Sequence, residues 1–461
     1  MENTIIRLQR IELKNFKNIQ YGEIDFLSYK QKVYYDNKAE VIGIYGQNGS
    51  GKTAVIEALK LLKNVMSGVE LPQDCLNYIY QSKQEAVLNY VFYIEREDQK
   101  FLVYYEFVIA KRDRDVIHFA GIEREKLSYS EIGNKSKTDI IAYNSKQTDI
   151  PFLPKIRYKE LVNSNKENEV ELKVAQRIAQ EKHTSYIFGT DISGIFKKDS
   201  KNNDYGFLIE IMKYYAKLNL FVITNEHSAP ISLNFMPISF RMEADGHIKS
   251  VDIAVNLLGT SRVDSERYLM VSQIIDQMNY VLKTIIPNLN LEIWNLGKEL
   301  SETGEELTKI ELIAVRKDIK VPLRYESEGI KKIISILSTL ISMFNNPSIC
   351  LAVDELDAGI FEYLLGELLE IIEKSGKGQC IFTSHNLRAM EKLNKESIVV
   401  STVNSENRFT RISYVKNNHN LRNLYLRGID LGGLEESIYE ETNSYEIAHA
   451  FRKAGESFGG K

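Results

Sequence analysis

Gly46-Gln47-Asn48-Gly49-Ser50-Gly51-Lys52-Thr53 is preceded by a compact apolar run, residues 41–45. It is followed by a helical pattern over residues 53–62 with Ile56, Leu59 and Leu62 on one face. Glycines at 46, 49 and 51 let the backbone curl so that successive N–H groups face one anion. The following helix adds the positive end of its dipole. Lys52 can reach β- and γ-phosphates, and the Thr53 hydroxyl is placed to ligate Mg²⁺. The whole loop, with Gln47, Asn48 and Ser50 in its wall, predicts a nucleoside triphosphate site between a strand and a helix.

Downstream, the apolar run 349–353 ends in Asp354-Glu355. A parallel strand ending in two acids brings both carboxylates to the edge where ligands bind in α/β sheets. There Asp354 suits the Mg²⁺ sphere, and Glu355 can polarise a water toward a γ-phosphate. One strand–helix–strand step later, residues 379–383 lead into Ser384-His385. A His at that tip can bond the γ-phosphate or hold the attacking water. The other six, His118, His183, His227, His247, His419 and His449, read as ordinary loop residues. Tyr325-Glu326-Ser327-Glu328-Gly329-Ile330-Lys331-Lys332 opens a long apolar helix over residues 329–344. By itself Ser327 reads as an N-cap. With the free N–H groups around Gly329 it also forms a second helix N-terminus suited to an anion.

Between these motifs the chain changes character. A strand over residues 5–13 is followed by Asn15-Phe16-Lys17-Asn18 and a further short strand, and residues 86–130 alternate in Val, Tyr, Phe and Ile. Residues 133–149 read as a polar loop or hairpin. Helical periodicity marks 169–182, 205–218 and 265–285, whereas 291–295 and 308–316 read as strands. Helix and strand then alternate to residue 383, the pattern of a parallel sheet with crossovers. The expected organisation is an α/β head with an antiparallel β lobe over 1–150, a mainly helical insertion over 151–290, and the remainder of the head over 291–461.

Composition sets outer bounds. Hydrophobic residues make up 43% and charged residues 26% of 461, as in soluble globular proteins. A net charge of -4 does not call for nucleic acid, although 59 Lys and Arg suffice for a local basic groove. No basic-then-apolar leader opens the sequence, and the apolar run 333–344 is too short to span a bilayer. The cysteines, Cys75, Cys350 and Cys380, have neither metal nor disulfide spacing, and the last two sit in apolar strands as buried thiols. A cytoplasmic location without membrane contact is expected.

Loop 46–53, Ser327-x-Gly329, Asp354-Glu355, Asp357 in Leu-Asp-Ala and Ser384-His385 follow in the motif order of ABC-type ATPase heads, which the chain resembles over roughly 1–130 and 290–400. Its opening, Ile-Glu-Leu-Lys-Asn-Phe-Lys-Asn-Ile, is similar to the first strand of the RecF, SMC and OLD branch. Glu326-Ser327-Glu328-Gly329-Ile330-Lys331 resembles the signature of AAA-type ATP-binding proteins of bacterial anti-phage and abortive-infection systems. The resemblance implies ATP and Mg²⁺ as cofactors and ATP hydrolysis as the reaction. It implies that Ser327 and Gly329 contact ATP held by a second subunit, that Asp357 lies at the dimer seam, and that Lys17 approaches the nucleotide. Gln73 and Gln81 are both candidates for the family's Q-loop glutamine. Glu328 stands where transporters have Gly.

The implied protein is an ATP-gated homodimer or higher homo-oligomer. It would act as the sensor ATPase of a defence system on a separately encoded effector, such as a nuclease or TOPRIM protein. A nuclease after residue 385 is not expected, because no Asp-x-Asp follows and Asp430, Glu435 and Glu436 read as surface acids. The alternative is a DNA-repair or DNA-clamping head of the RecF and SMC kind that binds nucleic acid, which the acidic balance and the lack of long heptads weaken. A transporter motor fits less well, given the long middle segment. A scaffold that hardly turns over is countered by the presence of Glu355 and His385.

Overall fold

The computed structural model describes residues 4–114, 117–134, 136–147, 149–199, 202–224, 235–244, 247–256, 259–301, 303–412, 420–431 and 436–459. His227, His419 and Glu435 lie outside the described residues, as do the side chains of His118, His247 and Asp430. The strands are Thr4–Phe16 (β1), Ile19–Asp25 (β2), Glu40–Tyr45 (β3), Glu85–Arg96 (β4), Gln99–Arg114 (β5), Ile117–Glu131 (β6), Thr138–Asn144 (β7), Phe152–Leu153 (β8), Leu220–Ile223 (β9), Phe235–Ala244 (β10), His247–Asn256 (β11), Ser261–Val263 (β12), Leu289–Leu300 (β13), Glu306–Arg316 (β14), Ile319–Pro322 (β15), Cys350–Val353 (β16), Gln379–Thr383 (β17), Ile398–Ser401 (β18) and Phe409–Thr410 (β19).

The short apolar runs pair in parallel, the arrangement in which strands are covered on both faces. They form a sheet in the order β19-β18-β3-β17-β16-β9, in which only β19 runs antiparallel. Cys350–Val353 is buried at every residue, and so is Gln379–Thr383. The longer alternating runs form the antiparallel sheet β2-β1-β4-β5-β6-β7-β8. Of the two readings expected for residues 133–149, a polar loop or a hairpin, the hairpin holds: β7, Thr138–Asn144, pairs antiparallel with β6 and buries Ile140 and Ile141 in this sheet. One apolar cluster joins the lobe to the helix Lys52–Ser67 and to helices of the middle segment.

The middle segment carries the helices Glu167–Lys182, Asn203–Leu218 and Ser265–Ile285. It also supplies β9 to the parallel sheet, beside β16, and the hairpin β10–β11. Through Leu220–Ile223 the stretch 151–290 thus contributes one strand to the head sheet. Strands β12, β14 and β13 form a separate antiparallel sheet, with β15 also on β14. Its apolar face packs against the helices Ser265–Ile285 and Glu328–Asn345.

A buried polar seam fixes β1 to the head sheet. Arg7, 1% exposed, donates to the carbonyls of Pro347 (2.9 Å) and Lys377 (2.7 Å) and to Glu40 Oε2 (2.9 Å). Gln379 closes the seam by donating to Leu8 O at 2.7 Å and accepting from Leu8 N at 2.9 Å. Among the described residues no helix is long and apolar enough to cross a membrane.

Candidate functional site

Because β3, β16 and β17 run parallel in adjacent positions, the segments that follow them emerge at one edge of the sheet. Loop 46–51 leaves β3, Asp354-Glu355 leaves β16 and Ser384-His385 leaves β17. Gly46, Gly49 and Gly51 all have positive φ (151°, 78° and 92°). A β-carbon on Gly46 would also stand 1.9 Å from Ser401 Oγ. Ser50 is buried, donates to Gln47 O at 2.6 Å and meets Ser401 Oγ at 2.5 Å. Ser401, at the end of β18, thus forms the floor of the loop. Gln47 accepts from Glu440 N at 2.9 Å, so a C-terminal segment is pinned to the same loop. Asn48 and Gly49 are exposed.

Lys52 opens the helix Lys52–Ser67, and its Nζ donates to Gly46 O (2.8 Å) and Gln47 O (3.0 Å). Burial lowers its pKa, against the opposing pull of Asp354, Glu355 and Asp357. The ammonium is held among acceptors in the wall of a cleft of about 420 Å³. Lys17, Asn18, Lys52, Thr53, Glu355 and His385 are in its walls.

Asp354 is fully buried. Its Oδ1 accepts from Thr383 Oγ1 at 2.6 Å and from Thr53 Oγ1 at 3.3 Å, while Oδ2 has no hydrogen-bond partner. A buried, unmatched carboxylate oxygen beside a threonine hydroxyl is the hard oxygen donor set that Mg²⁺ takes. Thr383 also accepts from Glu355 N at 2.7 Å, so one hydroxyl orders both acids. Glu355 has φ of 45°, a left-handed conformation that is unfavourable for a residue with a β-carbon. His385 is exposed at the cleft rim, and its backbone N–H donates to Asp357 Oδ2 at 3.1 Å.

Lys17 also has positive φ, pairs with Glu57 on the helix Lys52–Ser67, and lies 5.0 Å over the Tyr78 ring. With Asn18 it borders a second cleft, of about 680 Å³, lined also by Gln81, Gln84 and Lys111. Gln81 therefore adjoins the site, whereas Gln73 is exposed and lines neither cleft.

Ser327 and Gly329 are not among the residues lining the cleft. Ser327 caps the helix Glu328–Asn345, accepting from Ile330 N at 3.4 Å, and is exposed. Gly329 packs on Gly359 instead. The chain thus brings together Lys17, residues 46–53, Asp354, Glu355, Asp357 and His385, while Ser327 and Gly329 stay outside the cleft lining.

Thr383, Ser401, Glu57 and Lys332 were not singled out by the sequence. For Lys332 a signal existed, since a lysine stands on the apolar side of the helix Glu328–Asn345, where it is 6% exposed. His183 packs on the Phe119 ring, 4.7 Å away, and His449 is exposed on a helix. Cys75, Cys350 and Cys380 are buried free thiols.

The model of the AAA ATPase domain matches residues 7–388 of the 461. The chain belongs to the AAA ATPase domain family. In this AAA ATPase chain the match runs through every motif from Lys17 to His385, and the parallel sheet with its β lobe is the fold of an ABC-type ATPase head. No curated protein matches the chain. Solved structures similar to it include an SMC head bound to the C-terminal winged-helix domain of ScpA, at 14% identity and TM-score 0.42, covering 88% of this chain and 98% of that one. An SMC head with an extended coiled coil, bound to the C-terminal domain of ScpA derived from Pyrococcus furiosus, matches at 12% identity and TM-score 0.41 over 89% and 97%. The SMC head domain from Thermotoga maritima matches at 14% identity and TM-score 0.37 over 88% and 100%.

Proposed function

We propose that the chain is an ATP-hydrolysing dimer switch whose two sites are each completed by the partner's Ser327 helix end, and that it serves as the sensor ATPase of an anti-phage system with a separately encoded effector. The observation that carries the dimer is the separation of Ser327 and Gly329 from the cleft built by residues 46–53, Asp354 and Glu355. A capped, exposed helix N-terminus is suited to a terminal phosphate presented by another copy. The defence assignment rests on the signature Glu326-Ser327-Glu328-Gly329-Ile330-Lys331.

The loop N–H groups and Lys52 bind the phosphates; Lys52 exchanges its bonds to Gly46 O and Gln47 O for phosphate oxygens. Thr53 Oγ1 and Asp354 Oδ2 would hold Mg²⁺, which supplies charge neutralisation at the phosphates when bound. Glu355 orients and polarises a water within the cleft, His385 bonds the terminal phosphate from the rim, and Lys17 covers the nucleotide. Ser327 and Gly329 of one copy close the cleft of the other, so ATP joins the heads and hydrolysis releases them.

Mixing a Lys52→Ala subunit with a Ser327→Arg subunit tests the dimer. Each homodimer is inactive, yet the mixed pair retains one complete site and should recover up to half the wild-type turnover per pair. No recovery would refute the shared site. For the defence role, plaque formation is measured with the gene and its neighbouring open reading frame, against the same pair carrying Glu355→Gln. Equal plaque counts in both would refute it.

A further inference from the structure

Lys332 lies in the first turns of the helix capped by Ser327, on the side opposite solvent, and is 6% exposed. Its Nζ donates to the carbonyl oxygen of Glu355, which also accepts from Ala358 N at 3.0 Å. On the other side of the same residue, Glu355 N is held by Thr383 Oγ1 at 2.7 Å. Glu355 is thus gripped at both peptide groups while held at φ 45°, a conformation that is unfavourable for a residue with a β-carbon without such support. The loop it begins rests on the same helix, since Gly329 and Gly359 touch through their backbones. Burial pushes the Lys332 pKa down, while Asp357, Glu355 and Asp354 pull it up. The cation therefore sits within the field of the site's acids.

We infer that Lys332 is a positioning residue for Glu355 of its own subunit, fixing the backbone conformation that aims this carboxylate into the cleft. The inference rests on the reading of Glu355 as the group that polarises water. It makes the helix that would read a partner's nucleotide through Ser327 also the helix that sets the acid of its own site.

Lys332→Met keeps the length and apolar stem of the side chain and removes the donor. Its ATP affinity, read by titration of a fluorescent ATP analogue with Mg²⁺, should stay within about twofold of wild type, while kcat falls at least about tenfold. In the nucleotide-free protein, amide hydrogen exchange over residues 354–360 should speed up. Lys332→Gln, which keeps a donor, should recover part of the turnover. Combined with Glu355→Gln, Lys332→Met should cost nothing further, because both act through one carboxylate.

Additive losses, unchanged exchange, or a fall in ATP affinity equal to the fall in kcat would overturn the inference. Should Glu355→Gln alone leave turnover unchanged, the role of Glu355 itself fails, and the positioning role with it. A mixed pair separates the subunits: Ser327→Arg with Lys332→Met should recover activity if Lys332 serves its own subunit's Glu355. If the pair stays inactive while Lys52→Ala with Ser327→Arg recovers, the inference fails and the dimer stands.

Discussion

A β-carbon on Gly329 would stand 1.8 Å from the carbonyl oxygen of Gly359, so the helix that begins at Glu328 and the loop that follows Glu355 meet backbone to backbone. No side-chain rotation relieves that contact. Gly329→Ala should therefore lower stability by about 1–3 kcal/mol and force the two segments apart. Urea unfolding measures the loss, and ATPase assays should show turnover falling with it. Gly49→Ala meets no atom within 4 Å and should cost only the strain of its φ of 78°, about 1 kcal/mol. Equal losses in the two variants would contradict the close approach.

Thr383→Val keeps the shape of the side chain and deletes the hydroxyl shared by Asp354 and Glu355. Leaving a buried carboxylate oxygen and an N–H short of a partner should cost about 1–3 kcal/mol. The Mg²⁺ concentration for half-maximal activity should rise, and turnover should drop about 10–100-fold. Titrating Mg²⁺ at saturating ATP measures both, and a wild-type Mg²⁺ response would remove Thr383 from the site.

Arg7→Met should be among the costliest single changes in the lobe. It leaves the part-buried Glu40 without its cation, held only by Ser28 N and Gln379 Nε2, and two carbonyls without their donor, a loss of about 3 kcal/mol. Guanidinium unfolding reads this, and a shift below about 1 kcal/mol would show that the seam contributes little.

Glu125 is buried, accepting from Tyr105 Oη (2.7 Å), Ser185 Oγ (2.6 Å) and Tyr186 N (2.6 Å). Burial raises its pKa above the usual 4.5, and the hydrogen bonds from Ser185, Tyr105 and the backbone only partly offset this. A carboxyl raised in the fold contributes fully below its unfolded pKa and loses that contribution as pH rises through the folded one. Glu125→Ala should destabilise by at least about 3 kcal/mol, since three donors lose their acceptor. The gap to wild type should be widest near pH 4.5 and narrow toward alkaline pH. Unfolding at several pH values tests this, and a gap that widens with pH would contradict it.

The candidate cleft is legible in the sequence because its parts are local: Gly46 to Thr53 is one turn, and Asp354 and His385 each end an apolar run. The helix start at Ser327 is legible for the same reason. Thr383 is not, since its role depends on β17 lying beside β16 in a register that sets Val353 opposite Phe382. Strand β9 looks like the tail of a helical stretch, and only its pairing with β16 places it in the head sheet. Residues 133–149 are polar enough to leave a loop and a hairpin equally open, and burial of Ile140 and Ile141 seats β7 as the returning arm of a hairpin with β6. Ser401 reaches the loop through the pairing of β18 with β3, which no spacing in the chain announces.

The hydrogen bond from Glu440 N to Gln47 ties loop 46–53 to the segment that leads into the helix Ser444–Gly459, whose described side chains are all exposed. That bond offers a built-in reporter. Cys75, Cys350 and Cys380 are buried, with thiol pKa values pushed up to about 12, so alkylating dyes should leave them alone in the folded protein. A cysteine placed at Tyr445, 85% exposed, would then carry the dye by itself. Its anisotropy should change when ATP enters loop 46–53, and a Gln47→Ala change should silence that signal.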